Sequence, residues 1–406
     1  MIKKILLSSF ILLSLHSFAQ EGTASPYSYY GIGVVKFQGT VENKSMGGLG
    51  ILPDSIHINL QNPASLAALK FTAFSVAGTY NTVKLKNEST SEKARRSTLD
   101  YLVMAFPAKK LGISFGLMPY SAVGYKIRKI TESSTSIYSG NGGVNKVFIG
   151  AGYKIMPKLS IGADFGYNFG KIERISQVSY NDVQNGTGEV NTSEVSGVSL
   201  NVGTIYKSKF KKYDFISSLT LSPGTNLISK NTSFLSTIPF TANSGSSEDQ
   251  VVPNSKTKIP LKLAFGAGLG EIKKWFVGFE STFQGSSSFG SLYDSNVSFE
   301  NATKLSLGGY YIPNYNSFSN YFNKVTYRAG LRYENTGLIV NTKSINDTAL
   351  TLGLGLPVGG TVSSLNVGME YGKRGTTSVG LIQENYLNIS IGLSFNDRWF
   401  VKRKFD

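Results

Sequence analysis

The stretch LSIGADFGYNFG, residues 159–170, decides the fold class. Apolar or aromatic residues occupy every second position, and Ser, Gly, Asp and Asn stand between them. A two-residue period puts the two sets on opposite faces of a β-strand. Small polar residues suit the crowded, hydrated inside of a closed barrel, whose apolar face meets lipid. The stretch therefore predicts one strand of a transmembrane barrel.

The same alternation recurs along the chain from residue 71 onward. Each segment is long enough for a tilted membrane crossing of about 9–11 residues. An even number of strands closes a bacterial barrel without free edges. We predict an all-β, antiparallel transmembrane barrel of about fourteen strands, at 71–86, 97–107, 111–127, 143–156, 158–176, 193–208, 212–222, 256–270, 274–284, 302–312, 323–335, 348–357, 363–373 and 385–396.

The connections between these segments alternate in length. Short ones lie at 107–110, 156–158, 209–212 and 271–274, and long polar ones at 128–142, 177–192 and 223–255. Outer-membrane barrels have short periplasmic turns and long outer loops. The alternation favours a barrel over a soluble multi-domain β-sandwich protein, which does not need it.

Composition excludes several functional classes. The chain has no cysteine, so disulfides, thiolate metal sites and cysteine nucleophiles are excluded. The net charge of +16 comes from scattered Lys and Arg, so we expect no nucleic-acid partner. A mean hydropathy of -0.06 excludes a bundle of transmembrane helices. We expect no cofactor and no metal site.

The first nineteen residues predict a secretory signal peptide. Lys3 and Lys4 precede an apolar run that ends at Leu15, and small residues stand at Ser17 and Ala19. The run is shorter than the roughly 20 apolar residues that cross a bilayer. Cleavage after residue 19 would deliver the chain to the bacterial outer membrane and would remove His16.

Residues 20–70 do not alternate, yet they are too apolar for a disordered tail. The lumen of about fourteen strands has room that wall side chains alone do not fill. We predict that residues 20–70 form a hatch inside a barrel of residues 71–406. In this segment Asn62 is placed to cap a short helix that has Pro63 at its first position.

The layout of the whole mature chain resembles that of the FadL/TodX outer-membrane transport family, and the specific motifs lie in the predicted hatch. The similar stretches are SPYSYYGIG (25–33), SMGGLGI (45–51), DSIHINLQNPASLAAL (54–69) and FTAFSVAGTY (71–80). The Asn-Pro-Ala hatch motif of that family falls on Asn62, Pro63 and Ala64. The resemblance implies passive uptake of hydrophobic small molecules, such as long-chain fatty acids, across the outer membrane. It carries over no ligand-contacting residue of the barrel, and we expect a monomer surrounded by outer-membrane lipid.

Pro119 lies within the alternation of the third predicted strand. Proline cannot donate to a strand ladder, so pairing is interrupted there. The resemblance implies an inward kink in this strand that opens a sideways exit to lipid. The alternative is that the strand ends at Pro119 and an outer loop begins.

Arg328 and Arg332 share one face of TYRAGLRYE, residues 326–334, and Lys262 is a weaker candidate of the same kind. Arginine pairs with carboxylates in a bidentate manner, so these residues are candidates to hold a ligand carboxylate. The alternative is that they neutralise acids of the wall, since buried charges need partners. Such acids are Glu280, Glu334 and Glu370.

Three other functions compete with transport. An enzyme needs a base, and His57, beside Asp54 and Ser55, is interpreted as structural, so we expect no enzyme. A barrel resembling this family could instead be a docking or shuttle component for protein secretion, for which the segment 223–255 is a candidate surface. An open porin is the third possibility, and the predicted hatch argues against it.

Overall fold

The alternating segments form the wall of a closed barrel in a computed structural model of the chain. The structure describes residues 22–239, 247–288, 296–317, 319–358 and 362–399. The predicted signal peptide, residues 1–19, lies outside the described residues. None of the helices in the described ranges is long and apolar enough to cross a bilayer.

Fourteen antiparallel strands make the wall. They are β2 (Thr72–Lys86), β3 (Ser91–Ala108), β4 (Leu111–Ile130), β5 (Ser134–Met156), β6 (Leu159–Tyr180), β7 (Asn185–Phe210), β8 (Tyr213–Ser222), β12 (Lys262–Glu271), β13 (Trp275–Gln284), β15 (Ala302–Tyr311), β16 (Thr326–Val340), β17 (Lys343–Pro357), β18 (Ser364–Arg374) and β19 (Gln383–Asp397). The last strand pairs with the first from Asp397–Thr72 to Gln383–Lys86, which closes the cylinder. The predicted fourteen-stranded antiparallel barrel is confirmed.

Shorter elements complete the described chain. They are β1 (Val34–Val35), the helix α1 (Val41–Lys44), β9 (Thr225–Pro239), β10 (Ser247–Gln250), β11 (Ser255–Ile259), β14 (Val297–Phe299) and 3-10 helices at Pro26–Tyr29, Pro63–Ala68, Ser286–Ser288, Tyr321–Asn323 and Ser378–Gly380. Of these, β9 pairs with the outer part of β7 and with β10 and β11, so the sheet continues beyond β8 and β12.

The two faces of the wall differ as the alternation predicts. On β6, Phe165 and Tyr167 are exposed on the outside, whereas Asp164 and Asn168 are buried inside. No other part of the described chain covers the apolar side chains on the outer face, and such a face is suited to contact with lipid. The period of two in the sequence therefore records which side of the wall each residue faces.

The outer ends of the strands differ from the prediction. The expected long loops 128–142 and 177–192 are mostly strand, because β4 and β5 are separated only by residues 131–133, and β6 and β7 only by residues 181–184. The segment 223–255 also contains β9 and β10. Outside the membrane a strand needs no lipid-facing apolar phase, so its sequence lacks the alternation that identified the wall.

The N-terminal segment, defined here as residues 22–70, packs against the inner face of the wall on opposite sides. A Cβ atom added to Gly330 of β16 would lie 2.2 Å from the nitrogen of Gly47, and one added to Gly162 of β6 would lie 2.4 Å from the carbonyl carbon of Pro63. Only glycine allows this close approach of two backbones. The core thus lies inside the barrel, where Leu49 and Ile51 are fully buried.

Candidate functional site

The wall parts between β3 and β4. The two strands pair from Ala108–Leu111 at the short turn up to Leu102–Leu117, and no pair follows that one. Above it, β3 continues to Ser91 paired with β2, and β4 continues to Ile130 paired with β5. We call this gap, which begins above Leu102 and Leu117, the wall opening.

A β-bulge lies in each strand beside the wall opening. On β4, Pro119 pairs with Asn145 and Ser121 with Val144, so Tyr120 is the extra residue. On β3, Asp100 is the extra residue between Leu99 and Tyr101. Bulges bend a strand and re-aim its side chains. Pro119 therefore lies at the wall opening, two residues beyond the last β3–β4 pair, and β4 continues past it rather than ending there.

The N-terminal segment lies along the edge of β4 that β3 has left. Strand β1 pairs antiparallel with it, Val34 with Ala122 and Val35 with Ser121. The Lys36 backbone nitrogen donates to the Tyr120 carbonyl at 2.9 Å. These bonds satisfy part of an edge that would otherwise be left without a partner.

Further side-chain bonds fix the same contact. Gln38 Nε2 donates to the Pro119 carbonyl at 3.0 Å, and Ser121 Oγ donates to the Ile32 carbonyl at 2.7 Å. The Gly124 nitrogen donates to Ser28 Oγ at 3.1 Å. Residues 28–38 are thus held to β4 over a longer stretch than the two paired residues of β1.

A polar cavity of about 150 Å³ lies behind the wall opening, between the N-terminal segment and β2, β3, β18 and β19. Pro119 lines it. Its charged lining residues are four cations and three carboxylates: Lys36, Lys44, Arg332, Arg374, Asp100, Glu370 and Glu384. The lining therefore carries a small excess of positive charge.

Lys36 is the cation of this cavity that lies next to the wall opening, directly after β1. Its ammonium group donates to the Gly22 carbonyl, and no carboxylate forms an ion pair with it among the described residues. Burial lowers the pKa of Lys36 to about 8, although Asp100 opposes the change. A desolvated cation of this kind gains from an added anion.

Arg332 connects the cavity to the acids of the wall. Its Nη2 atom lies 2.8 Å from Glu370 Oε1 and 3.4 Å from Asp347 Oδ1, and it donates to Tyr386 Oη at 2.9 Å. Its Nε atom is buried and has no hydrogen-bond partner. The predicted candidate thus pairs with wall acids and retains one donor to spare.

The other two arginine and lysine candidates lie elsewhere. Arg328 is buried and donates from Nη1 to Asn366 Oδ1 at 3.0 Å. Lys262 lines a separate small space of about 20 Å³ with Glu280 and Lys304. Of the three, the structure brings only Arg332 to the cavity behind the wall opening.

The Asn-Pro-Ala motif holds the lower part of the N-terminal segment to the wall. Asn62 Oδ1 accepts from the Ala64 nitrogen at 3.0 Å, which caps the 3-10 helix Pro63–Ala68. Asn62 Nδ2 donates to the Thr204 carbonyl of β7 at 3.2 Å. One side chain therefore starts the helix and also attaches it to the barrel.

Sequence reasoning missed Lys36 and Asp100. Lys36 stands in GVVKFQ, where a lysine after two valines looks like an ordinary solvated position. Asp100 lines the cavity and is the extra residue of a bulge, which the sequence marks only by an interruption of the alternation. The two-residue alternation breaks at this point in STLDYLV, which was the available signal.

Comparison with known proteins places the chain among outer-membrane barrels. A family model described as BamG matches residues 1–406. The chain belongs to the BamG family. No curated protein is detectably similar to it in sequence.

Solved structures share the fold of this BamG-family chain at low identity. The toluene transporter TbuX of Ralstonia pickettii has a TM-score of 0.62 and 14% identity, covering 89% of this chain and 99% of its own. The CymD monoaromatic hydrocarbon channel has a TM-score of 0.61 and 13% identity, covering 89% and 98%. A FadL homologue of Pseudomonas aeruginosa has a TM-score of 0.59 and 9% identity, covering 90% and 100%. At these identities the likeness shows the fold, that of an outer-membrane barrel of FadL/TodX type.

Proposed function

We propose that this BamG-family chain is an outer-membrane channel for hydrophobic small molecules, which leave sideways through the wall opening. The observation that carries the proposal is the parting of β3 and β4 above Leu102 and Leu117, with a cavity directly behind it. Unpaired backbone is costly in lipid, so a gap kept in the wall points to a use for it. The fold shared with hydrocarbon channels is consistent with that use.

In this proposal the N-terminal segment is the hatch. Residues 1–19 direct export and are removed, and residues 28–38 cover the edge of β4 while the channel is at rest. Transport is passive, so the hatch moves by thermal exchange of hydrogen bonds rather than by an energy source. Detachment of β1 from β4 joins the cavity to the wall opening.

The cavity favours a ligand that resembles a long-chain fatty acid. Lys36 lines the cavity and forms no ion pair with a carboxylate among the described residues, so its ammonium group can donate to a ligand carboxylate. On the lipid side, Leu99 is 53% exposed and Leu102 is 40% exposed beside the gap, which suits an acyl chain. Arg328 and Lys262 have no part in this site.

A matched pair of ligands tests the proposal. Oleate and oleyl alcohol share a chain, but only oleate carries a carboxylate. We expect cells that express the chain to take up oleate faster than cells without it, and Lys36→Gln to lower oleate uptake severalfold more than oleyl alcohol uptake. Equal uptake with and without the protein would rule out transport of this ligand class, and an equal effect of Lys36→Gln on both would rule out the carboxylate site.

A docking role in protein secretion is the second candidate. The observation that favours it is the outer sheet of β7, β9, β10 and β11, next to which Val251 is fully exposed. Purification of the full chain from native membranes separates the two functions. A co-purifying acidic lipid-like molecule supports transport, whereas a stoichiometric protein partner supports docking.

A further inference from the structure

His57 lies at the centre of a cluster that joins the N-terminal segment to the wall. Its Nδ1 atom is 2.7 Å from Asp54 Oδ2. Its Nε2 atom is 3.0 Å from Ser364 Oγ on β18 and 3.8 Å from Glu42 Oε1. Two carboxylates of the segment therefore face one imidazole, with a wall hydroxyl on the far side.

The wall completes the cluster through Asn366 of β18. Its Nδ2 atom donates to Glu42 Oε1 at 2.8 Å and to Ser364 Oγ at 3.2 Å. Its Oδ1 atom accepts from Arg328 of β16. The charged groups that face one another are thus Glu42, Asp54 and His57 of the segment and Arg328 of the wall.

The charge of His57 decides the balance of this cluster. With an imidazolium, two cations face two carboxylates. With a neutral imidazole, one negative charge is left over, and Glu42 Oε2 is already buried without a hydrogen-bond partner. A buried charge without compensation is strongly unfavourable. Deprotonation of His57 therefore weakens the contact between the segment and the wall.

Ser364, His57 and Asp54 have the order of a hydrolytic triad, but their surroundings do not suit catalysis. A general base must be neutral to accept the serine proton. Here two carboxylates favour the imidazolium, whose Nε2 already carries a proton. The Oγ atom of Ser364, itself buried, is also engaged by Asn366. The cluster is built to hold the segment in place.

We propose that His57 is a pH-sensitive latch, which holds residues 42–57 against β18 as an imidazolium and releases them as a neutral imidazole. The proposal rests on the hatch role proposed for the N-terminal segment. It adds a condition under which residues 42–57 of that hatch loosen, through a contact with β18 rather than the contact of β1 with β4.

The direction of the pH effect follows from the surroundings of His57. Burial alone would lower the pKa of His57, but the Asp54 and Glu42 carboxylates raise it above its ordinary value of 6.5. A raised pKa means that the contact contributes fully below about pH 6.5 and is lost as the pH rises through the folded-state pKa. The latch therefore opens on the alkaline side.

Asp54 sets the lower pH limit of the closed latch. The Asp54 side chain is 44% exposed, and pairing with His57 lowers the pKa of Asp54 to about 2. Its contribution is present above the ordinary pKa of about 3.9 and is lost only as the pH falls through about 2. The latch is thus closed at mildly acidic pH.

The chain is suited to a direct test, because His57 is the only histidine outside the predicted leader. NMR of the exported full-length protein, labelled at histidine Cε1, follows this imidazole from pH 5 to pH 10, and His57→Gln identifies its signal. Ion conductance across a planar bilayer is measured over the same range. We expect a shared midpoint above pH 6.5, with higher conductance on the alkaline side.

Four variants decide the mechanism. We expect His57→Lys to stay at low conductance throughout, His57→Gln to stay at high conductance, and Glu42→Gln to lower the shared midpoint by about one pH unit. Glu280→Gln is the control, since Glu280 accepts from the Gly50 nitrogen at 2.8 Å without contacting His57, and its midpoint should not move.

An unchanged conductance midpoint in His57→Gln overturns the latch, as does an imidazole that titrates below pH 6.5. Should the charged or neutral His57 variant fail to fold, the midpoint of Glu42→Gln decides alone. Conductance needs no organic ligand, so failure of the latch leaves the oleate result intact, and failure of oleate uptake leaves the latch intact.

Discussion

Arg332 is a buried wall cation that keeps one donor without a protein partner. Its ion pairs with Glu370 and Asp347 satisfy the requirement that a buried charge be compensated. Its Nε atom is buried and donates to no protein acceptor. The sequence left ligand binding and wall pairing as alternatives for Arg332, and the structure shows its pairing with Glu370 and Asp347.

Replacing Arg332 by Gln should destabilise the barrel by about 3–5 kcal/mol, because Glu370 and Asp347 lose a shared partner in a buried place. Urea unfolding of the detergent-folded protein, followed by tryptophan fluorescence, measures the change. Arg95→Gln serves as the control, since Arg95 is exposed on the outer part of β3 and should change stability by less than about 0.5 kcal/mol. Equal effects of the two would contradict a buried structural role for Arg332.

Asn62→Ala should expose the Pro63–Ala68 helix to exchange, because the cap and the bond to Thr204 are both lost. The cap alone contributes about 1 kcal/mol. Amide exchange of residues 64–66 is the measurement. Asn62→Asp keeps the capping oxygen but loses the donor to Thr204, so we expect an intermediate rate. Unchanged exchange in Asn62→Ala would show that packing alone holds the helix.

At the scale of elements, the proposed transport requires β1 to detach from β4. Paired positions on antiparallel strands have Cα atoms about 4.5–5.5 Å apart, which suits a disulfide. Cysteines at Val34 and Ala122 should therefore cross-link in this cysteine-free chain and block oleate uptake until a reductant is added. The double variant V34C/A122C is assayed before and after reduction.

The control pair joins two wall strands that stay paired throughout. Leu354 and Val367 are partners on β17 and β18, and L354C/V367C should leave uptake unchanged in both redox states. Full uptake by oxidised V34C/A122C would mean that the ligand does not need β1 to move.

The wall was predictable because each crossing strand repeats the same two environments. β6 is the clearest case, since its apolar and polar residues separate without exception from Leu159 to Gly170. The position at which β3 separates from β4 was not predictable, because strand pairing leaves no mark on the sequence of either strand. Pro119 marked the neighbourhood, while the pairing of Val34 and Val35 with β4 had no local signal.

On the scale of the whole molecule, the N-terminal segment and the wall are separable in principle. The wall closes through β19 and β2, which do not need residues 22–65 for their hydrogen bonds. Deleting residues 22–65 should leave a folded barrel with several times the ion conductance of the full chain in planar bilayers. Retained heat-modifiable migration in gels checks the fold. Nearly equal conductance would show that the bore is already open with the segment present.

The barrel wall is far from level. β5 has 23 residues and β7 has 26, whereas β8 and β12 have 10 each. At about 3.3 Å per residue, β5 is roughly 75 Å long, well beyond an apolar band of about 25 Å. Of these long strands, β5 adjoins β4, so it extends along one border of the wall opening. In the proposed transport, a molecule that leaves there passes between β4 with β5 on one side and β3 with β2 on the other, so its exit is confined to the space between two extended strand pairs.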